Sequence, residues 1–315
     1  MGALLLRRFL SLIPLLLIVS FGVFVLVALV PGDASVTLAG GESATPERIA
    51  DVRAQLHLDE PLVEQYGRWL RDAVQGDLGS SLFTKVPVAD DIIDRVPITL
   101  ALVLAALAVG LVVGIPVGVI SALRTGRAVD GAARVGTSLA LAVPNYWLAI
   151  ELVVLFAVTW KLLPPSGYAK LTDDPVEWLR HIALPAVALG LWSAASLARQ
   201  LRASLIDALD SRYVRTAWAK GAGTRRVVMK HAMKNAAIPV VTVLGLQVGF
   251  LLGGTVIIEQ IFSIPGLGPY FIRGVTSLDV PVIQGVAIVF VLFTVTLSLL
   301  VDITYGLLDP RVRVE

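Results

Sequence analysis

Few side chains in this 315-residue chain have the type and spacing that chemistry requires. The chain has no cysteine, which excludes disulfides, thiolate metal sites and cysteine nucleophiles. Its three histidines, His57, His181 and His231, lie far apart in the sequence, and none forms a close metal-ligand pair. It has no Gly-x-x-x-x-Gly-Lys-Ser/Thr run, and hence no phosphate-binding loop of its own. We therefore predict no catalytic residue, no metal site and no cofactor in this chain.

Two glutamates in long apolar runs are candidates for polar residues on a pathway through a membrane. Glu151 is the only acid well inside such a run, and Glu259 lies near the end of another. A charge in a membrane is costly and usually functional or paired; a protonated glutamate packed against a neighbouring helix explains Glu151 equally well. A proton-coupled carrier normally has several such groups, which argues against that class. Asp302 is expected to pair with Arg199 or Arg202 rather than to bind substrate.

A basic stretch interrupts the apolar second half of the chain at residues 207–239, called the basic segment below. A Gly221-Ala222-Gly223 break divides it into two helical halves. Thr224 is expected to cap the second helix, and Pro239 to begin the following membrane span. The segment carries Arg212, Arg215, Lys220, Arg225, Arg226, Lys230 and Lys234, and Arg199 and Arg202 precede it.

The basic segment has two simpler interpretations. One is a stripe of positive charge lying on anionic lipid headgroups. The other is a DNA-binding helix-turn-helix, which is disfavoured because both ends of the segment are held at the membrane. A basic segment with a defined helical structure between two spans indicates instead that this segment contacts a soluble partner and passes force to it.

Composition identifies the elements that must position these residues. The chain is 56% hydrophobic and 16% charged, below the quarter typical of soluble proteins. Backbone groups in lipid must be paired internally, so apolar runs of about 20 residues are predicted to be helices. The pattern predicts an all-α polytopic membrane protein with six transmembrane helices, over residues 9–30, 97–123, 131–163, 181–205, 240–262 and 282–308. Pro116, Pro144 and Pro185 are expected to kink them.

Charge predicts the orientation and the domain boundaries. Bases outnumber acids on the face that holds both termini, and acids outnumber bases on the other, so both termini are predicted to be cytoplasmic. We divide the chain into residues 1–30 (tail and first span), 31–96 (an extracytoplasmic cap), 97–308 (the other five spans, with the basic segment) and 309–315 (a cytoplasmic tail). Thr45-Pro46 predicts a helix start in the cap, and Asp174-Pro175 predicts a short helix through Trp178.

Two spans carry glycines spaced by four residues. That spacing lets two helix backbones approach closely, which favours helix association in lipid, although glycine is also simply frequent in membrane helices. The two sets predict closely packed helix faces at Gly110, Gly114 and Gly118 and at Gly245, Gly249 and Gly253.

The basic segment also resembles a known family motif. Residues 212–221 (RYVRTAWAKG) and 231–239 (HAMKNAAIP) are similar to the "EAA" loop of ABC importer permeases in its peptide-permease form. The resemblance covers nearly the whole chain. It extends to residues 29–33 (LVPGD), 65–66 (QY), 76–81 (GDLGSS), 95–100 (RVPITL), 259–268 (EQIFSIPGLG) and 308–311 (LDPR), which resemble the first permease subunit of dipeptide and oligopeptide importers.

The resemblance implies a type I importer in the bacterial inner membrane. Such a complex pairs this subunit with a homologous second permease and with two ATPase subunits or one fused ATPase chain, which bind ATP and Mg²⁺. An extracytoplasmic substrate-binding protein delivers the peptide, and no nucleic acid is involved. The EAA loop docks in a cleft of an ATPase. The coupling residues carried over by position are Tyr213, Arg215, Thr216, Ala217, Lys220, Gly221 and Gly223.

Some positions depart from the general family pattern. Arg215 stands where that pattern has glutamate, and Thr216 replaces its first alanine, whereas Ala217 and Gly221 keep their places. A contact made through the usual glutamate therefore cannot be transferred to this chain. Relatives that import nickel or glutathione leave the cargo open, and a carrier or channel acting alone is the alternative from another class.

Overall fold

The computed structural model describes residues 2–29, 35–36, 44–55 and 59–308. This part of the chain is helical and contains no β-strand; one isolated antiparallel bridge joins Ser80 and Pro87. The helices are α1 (Gly2–Ala28), α2 (Pro46–Gln55), α3 (Leu62–Val74), α4 (Val88–Leu123), α5 (Ala128–Ala142), α6 (Asn145–Thr159), α7 (Pro175–Asp210), α8 (Arg212–Ala219), α9 (Thr224–Ile261), α10 (Leu267–Ser277) and α11 (Val280–Leu308).

Several of these helices are long and apolar enough to cross a bilayer. Within the described residues they are α4, α7, α9 and the Val280–Leu297 part of α11, and α5 with α6 would make a fifth if the pair is one span. In α1 the stretch Ile13–Leu26 is apolar but shorter. The described part of the chain is therefore helical and has several helices able to span a membrane, while the number of six spans and the cytoplasmic termini stay predictions.

The third predicted span, 131–163, is two helices rather than one. α5 and α6 meet at an angle of 101°. Val143 and Pro144 both have extended backbone conformations between them. Proline has no N–H to donate and disfavours a helical residue before it, so the break falls at Pro144. The other two prolines expected to kink spans, Pro116 and Pro185, lie inside the unbroken helices α4 and α7.

Two predicted helix starts are found in the structure. α2 begins at Pro46, and the Thr45 Oγ1 accepts a hydrogen bond from the Arg48 amide at 3.4 Å. α7 begins at Pro175, where the Asp174 carboxylate accepts from the amides of Val176 at 2.9 Å and Glu177 at 3.0 Å. The helix does not stop near Trp178 as predicted, but continues without interruption to Asp210.

The chain divides into two compact units. The first comprises Met1–Thr99 and Pro265–Val295. Its core is formed by Val88, Ile92, Leu267, Tyr270, Val282 and Val286. The buried Asp279 carboxylate accepts hydrogen bonds from Ser81 Oγ at 2.6 Å and from the Leu82 amide at 3.1 Å. These bonds fix the loop before α4 to the turn between α10 and α11.

The second unit comprises Leu100–Ile264 and Thr296–Glu315. α7 is its central helix, and α4, α5, α6 and α9 pack around it. Between α7 and α9, the rings of Trp192 and Phe250 stack at 4.0 Å, and the buried Ser193 hydroxyl donates to the Gln247 side-chain oxygen. The second unit holds the basic segment and both candidate glutamates.

Candidate functional site

The basic segment forms a bend of two helical parts between the membrane portions of α7 and α9, and we call this bend the elbow below. α7 ends at Asp210, Ser211 is extended, and the short helix α8 follows. The chain then turns at Gly221, whose φ of +79° lies in the left-handed region that glycine adopts without steric cost. Amides at the turn bond back to α8, from Gly221 to the Trp218 carbonyl at 2.9 Å and from Ala222 to the Ala217 carbonyl at 3.2 Å. The glycine break is thus a tight, hydrogen-bonded turn.

The second helical half differs from the prediction in two respects. Gly223, not Thr224, is the residue that precedes the helix, and no side-chain hydrogen bond caps it. Pro239 does not begin a span, since α9 is continuous from Thr224 to Ile261 and Pro239 lies inside it. The Val227–Ala232 part of α9 is wound as a π-helix, a form often found at functional sites. The elbow is therefore an extension of α9 itself.

One face of the elbow is buried against α7. Val214 of α8 and Val227 of α9 are completely buried, and they pack with Leu205 and Ala208 of α7 in a single apolar cluster. Ala217 is half-buried and packs against the same cluster. Because this packing holds both halves of the elbow to α7, a displacement of the elbow is expected to move α7 and α9.

The other face is exposed, basic and partly aromatic. The Asn235 amide donates to the Tyr213 hydroxyl at 2.7 Å, which orients the exposed tyrosine. Arg215 contacts Asp210 at 2.6 Å, but both side chains are largely exposed, so this ion pair contributes little stability. Six of the seven predicted coupling residues lie on this exposed face: Tyr213, Arg215, Thr216, Lys220, Gly221 and Gly223.

Two exposed apolar residues of the elbow were not among the predicted coupling residues. The Trp218 side chain is 42% exposed and that of Met229 is 61% exposed. Trp218 lies four residues after the buried Val214, a spacing that places both on one face of a helix and so predicts burial. In the structure it is nevertheless exposed, near the end of α8 at Ala219. Trp and Met are enriched at the centres of protein interfaces, so these two exposed side chains favour contact with a protein.

The first glycine set lies against α7. A methyl group built on Gly114 would stand 2.7 Å from the Ala194 carbonyl oxygen, and one on Gly118 would stand 2.9 Å from that of Ala198. Gly110 is equally close to Ser193. At Gly114 and Gly118 the close atoms belong to the backbone of α7, so only glycine fits there and these two residues set the spacing between α4 and α7, whereas the atom closest to Gly110 is a side-chain hydroxyl.

The second glycine set behaves differently where contacts are known. A methyl group on Gly253 would meet no atom within 4 Å in the described part of the chain, and Gly253 is exposed. The close contact on α9 is made by its neighbour Gly254, which lies against Leu189 and Asn145. Gly245 and Gly249 are half-buried on the same helix. The close contact is therefore shifted by one residue at the C-terminal end of the predicted glycine set.

The two candidate pathway glutamates have opposite surroundings. Glu259 is completely buried near the end of α9. Glu151 is exposed on α6, so within this chain it is not packed against a neighbouring helix as one interpretation required. Their role in transport stays a prediction. Among the residues that the structure describes, no three His, Asp or Glu side chains are arranged to hold a metal ion.

Sequence reasoning missed an ion pair at the start of α5. Arg202, one of the two arginines expected to pair with Asp302, donates to Asp130 from Nε at 2.7 Å and from a terminal nitrogen at 3.0 Å, and the pairing of Asp302 with Arg199 stays a prediction. The two residues are 72 positions apart, and no local pattern relates them. The side chain of Asp302 lies outside the described residues.

Comparison with known proteins agrees with this fold. The family model described as "Binding-protein-dependent transport system inner membrane component" matches residues 114–314, and its N-terminal counterpart matches residues 1–103. A protein of Brucella abortus (strain 2308) named "Putative peptide transport system permease protein" is 40% identical over the full length of both chains. The glutathione transport system permease GsiC of Escherichia coli (strain K12) is 39% identical, covering 98% of this chain and 97% of GsiC.

A solved structure has the same fold at low sequence identity. It is an inward-facing form of the MetNI methionine ABC transporter, whose matching chain is 17% identical with a TM-score of 0.54, covering 69% of this chain and 96% of that one. Together with the full-length relatives, the family match covers nearly every residue. The chain belongs to the family of binding-protein-dependent transport system inner membrane components, and is a multi-pass ABC transporter permease of the inner membrane.

Proposed function

We propose that this chain is a permease subunit of an ATP-driven importer of short peptides. It forms the pathway with a second, homologous permease, and ATPase subunits that bind ATP and Mg²⁺ dock on the basic segment. An extracytoplasmic binding protein delivers the cargo. The chain itself provides no catalytic group, so the energy of transport enters through contact with the ATPases.

The two-faced elbow is the observation that carries this proposal. Its inner face is completely buried at Val214 and Val227, and its outer face exposes Tyr213 and Trp218 among basic side chains. A segment that only attracted lipid headgroups would need charge but not a rigid, hydrogen-bonded turn at Gly221. The inner face is held in place by buried packing, and the outer face is both charged and aromatic. Such a surface is suited to docking on a protein.

Coupling then follows from the helices attached to the elbow. α7 runs directly into it, and α9 runs directly out of it. Closure of the ATPases on ATP would displace the elbow, and the two helices would tilt or slide with it. Packed helices with two discrete arrangements convert such a displacement into alternating access.

The cargo is proposed from the relatives. Proteins named for peptide transport are 40% and 36% identical to this chain over essentially its whole length. The 39% identical glutathione permease supports glutathione, itself a tripeptide, as the second candidate. Both cargoes are peptides, so we propose a short peptide as the class of cargo.

Reconstitution of the complete complex tests the proposal. The two permeases and the ATPases would be placed in proteoliposomes with the binding protein outside and ATP inside. Uptake of labelled dipeptides, oligopeptides, glutathione and nickel would then be compared. ATP-dependent uptake of a peptide is expected. Uptake by this chain alone, without ATPases, would instead show a carrier or channel, and uptake restricted to nickel would contradict the peptide cargo.

A further inference from the structure

A buried carboxylate joins three helices on the side of the second unit where α7 leads into the basic segment. Asp130, in the first turn of α5, is 1% exposed. It accepts hydrogen bonds from Ser121 Oγ of α4 at 2.7 Å and from the Gly126 amide at 3.1 Å, in addition to the two from Arg202 of α7. We call this group the Asp130 clasp.

The charges of Asp130 and Arg202 are compensated almost entirely by groups within the protein. The Arg202 side chain is 24% exposed, and its bidentate geometry is the strongest arrangement between an arginine and a carboxylate. The Arg134 Nε lies 3.7 Å from an Asp130 carboxylate oxygen, too far for a hydrogen bond, and the Arg134 side chain is 62% exposed. Arg134 is therefore a peripheral partner of Asp130. A buried ion pair with this many hydrogen bonds is rigid, because breaking it leaves a charge without compensation.

The clasp continues the close packing of α4 on α7. Gly114 lies against Ala194, Gly118 lies four residues on against Ala198, and Ser121 is at the next helical turn beside Arg202. Glycine contacts alone let two helices slide along each other, since they have no directional bonds. The clasp adds directional, charged bonds at the end of this row, which prevents sliding there.

The clasp is also continuous with the elbow. Ala122, next to Ser121, belongs to the same buried cluster as Leu205 of α7 and Val214 and Val227 of the basic segment. Arg202 lies about 12 Å before the end of α7 at Asp210, from the helical rise per residue. The elbow, α7, α4 and the start of α5 are thus connected through buried contacts without a gap.

We propose that Asp130 and Arg202 are positioning residues for transport, which make α4 and α5 move together with α7 when the basic segment is displaced. Without this ion pair, displacement of the basic segment moves only α7 and α9. ATP is then hydrolysed without the full helix rearrangement that moves the cargo. This inference rests on the proposed function of the chain as the permease of an ATP-driven importer.

The test measures how much ATP is hydrolysed per peptide taken up. Complete complexes carrying wild-type chain, Asp130→Asn, Arg202→Lys or the control Arg127→Gln would be purified, quantified and placed in proteoliposomes. Arg202→Lys keeps the positive charge but cannot make the bidentate contact of the guanidinium group. The control residue Arg127 is exposed and follows Gly126 in the same turn. We expect both clasp variants to assemble and to hydrolyse ATP, with the ATP-to-peptide ratio raised by a factor of about 2 to 30, the usual range for coupling residues. The control ratio is expected to be unchanged.

Three results would count against the inference or its premise, and they are distinguishable. A wild-type ratio in both clasp variants overturns the positioning role. Failure of both variants to assemble assigns the clasp to folding and also overturns it. If the wild-type complex takes up no peptide with ATP, the proposed function fails, whatever the variants do.

Discussion

Replacing Gly221 by alanine is expected to weaken coupling far more than the same change at Gly223. A methyl group would meet nothing within 4 Å at either position, so the two substitutions do not differ in contacts. They differ in backbone conformation: Gly221 has a φ of +79°, whereas Gly223 has a φ of −68° and a ψ of 155°. An L-residue in the left-handed region costs about 1–2 kcal/mol, and the extended conformation at Gly223 costs an alanine nothing comparable.

The size of the effect follows from that strain. If the turn in Gly221→Ala relaxes to an unstrained conformation when no ATPase is bound, docking must restore the strained conformation. The affinity of the permease for the ATPase then falls by a factor of about 5 to 30. Membrane insertion is expected to be unchanged, because the buried contacts of Val214 and Val227 are not altered. The larger, β-branched Gly221→Val would exceed this loss, whereas Gly221→Asn would fall below it, since asparagine tolerates this region.

The assay is ATP-driven peptide uptake by proteoliposomes, together with the affinity of the permease pair for its ATPases. Each variant is compared at equal amounts of inserted chain. The order of activity expected is wild type, Gly223→Ala, Gly221→Asn, Gly221→Ala and Gly221→Val. Equal losses for Gly221→Ala and Gly223→Ala would refute the reasoning from backbone conformation, and normal uptake by Gly221→Val would refute a coupling role for the turn.

Three further predictions concern packing, the clasp and topology. Gly114→Leu forces α4 away from α7 and is expected to cost about 1–3 kcal/mol or more in resistance to unfolding by denaturant in detergent, whereas Gly253→Leu enters open space and should cost under 1 kcal/mol. Asp130→Ala leaves the Arg202 charge uncompensated and should lower the free energy of unfolding by about 3–5 kcal/mol, and a loss below 1 kcal/mol would contradict the buried ion pair. In this cysteine-free chain, Val74→Cys should react with an impermeant maleimide from outside intact cells, and Arg226→Cys only after permeabilisation; the reverse would invert the predicted topology.

Local signals predicted the parts of the fold that depend on neighbouring residues. Thr45-Pro46 and Asp174-Pro175 each mark a helix start because a side-chain oxygen and a preset proline φ act within one turn. The turn at Gly221 was predicted for the same reason, since the left-handed conformation is a property of the glycine itself. The extent of each helix was harder to predict: α7 continues past Trp178 and through Pro185 to Asp210, so the short helix expected there is the beginning of a longer one.

Signals that depend on distant residues were missed. The partner of Arg202 is decided by how α5 folds back on α7, and neither the charge of Asp130 nor its spacing reveals that. Trp218 was not singled out from the sequence, because its exposure depends on how α8 packs in the folded chain. Gly254 rather than Gly253 makes the close contact, and the two positions point about 100° apart around α9, a choice of face that a spacing of four residues does not determine.

The most direct test of the account is to find what the exposed face of the elbow touches in the working complex. A photoreactive phenylalanine analogue would replace Trp218 in the assembled importer, and the exposed Trp160 would be replaced in the same way as a control. Irradiation with and without ATP should cross-link position 218, but not position 160, to an ATPase subunit. Cross-links from position 218 to lipid alone, in every nucleotide state, would contradict the claim that the basic segment receives the force of ATP hydrolysis.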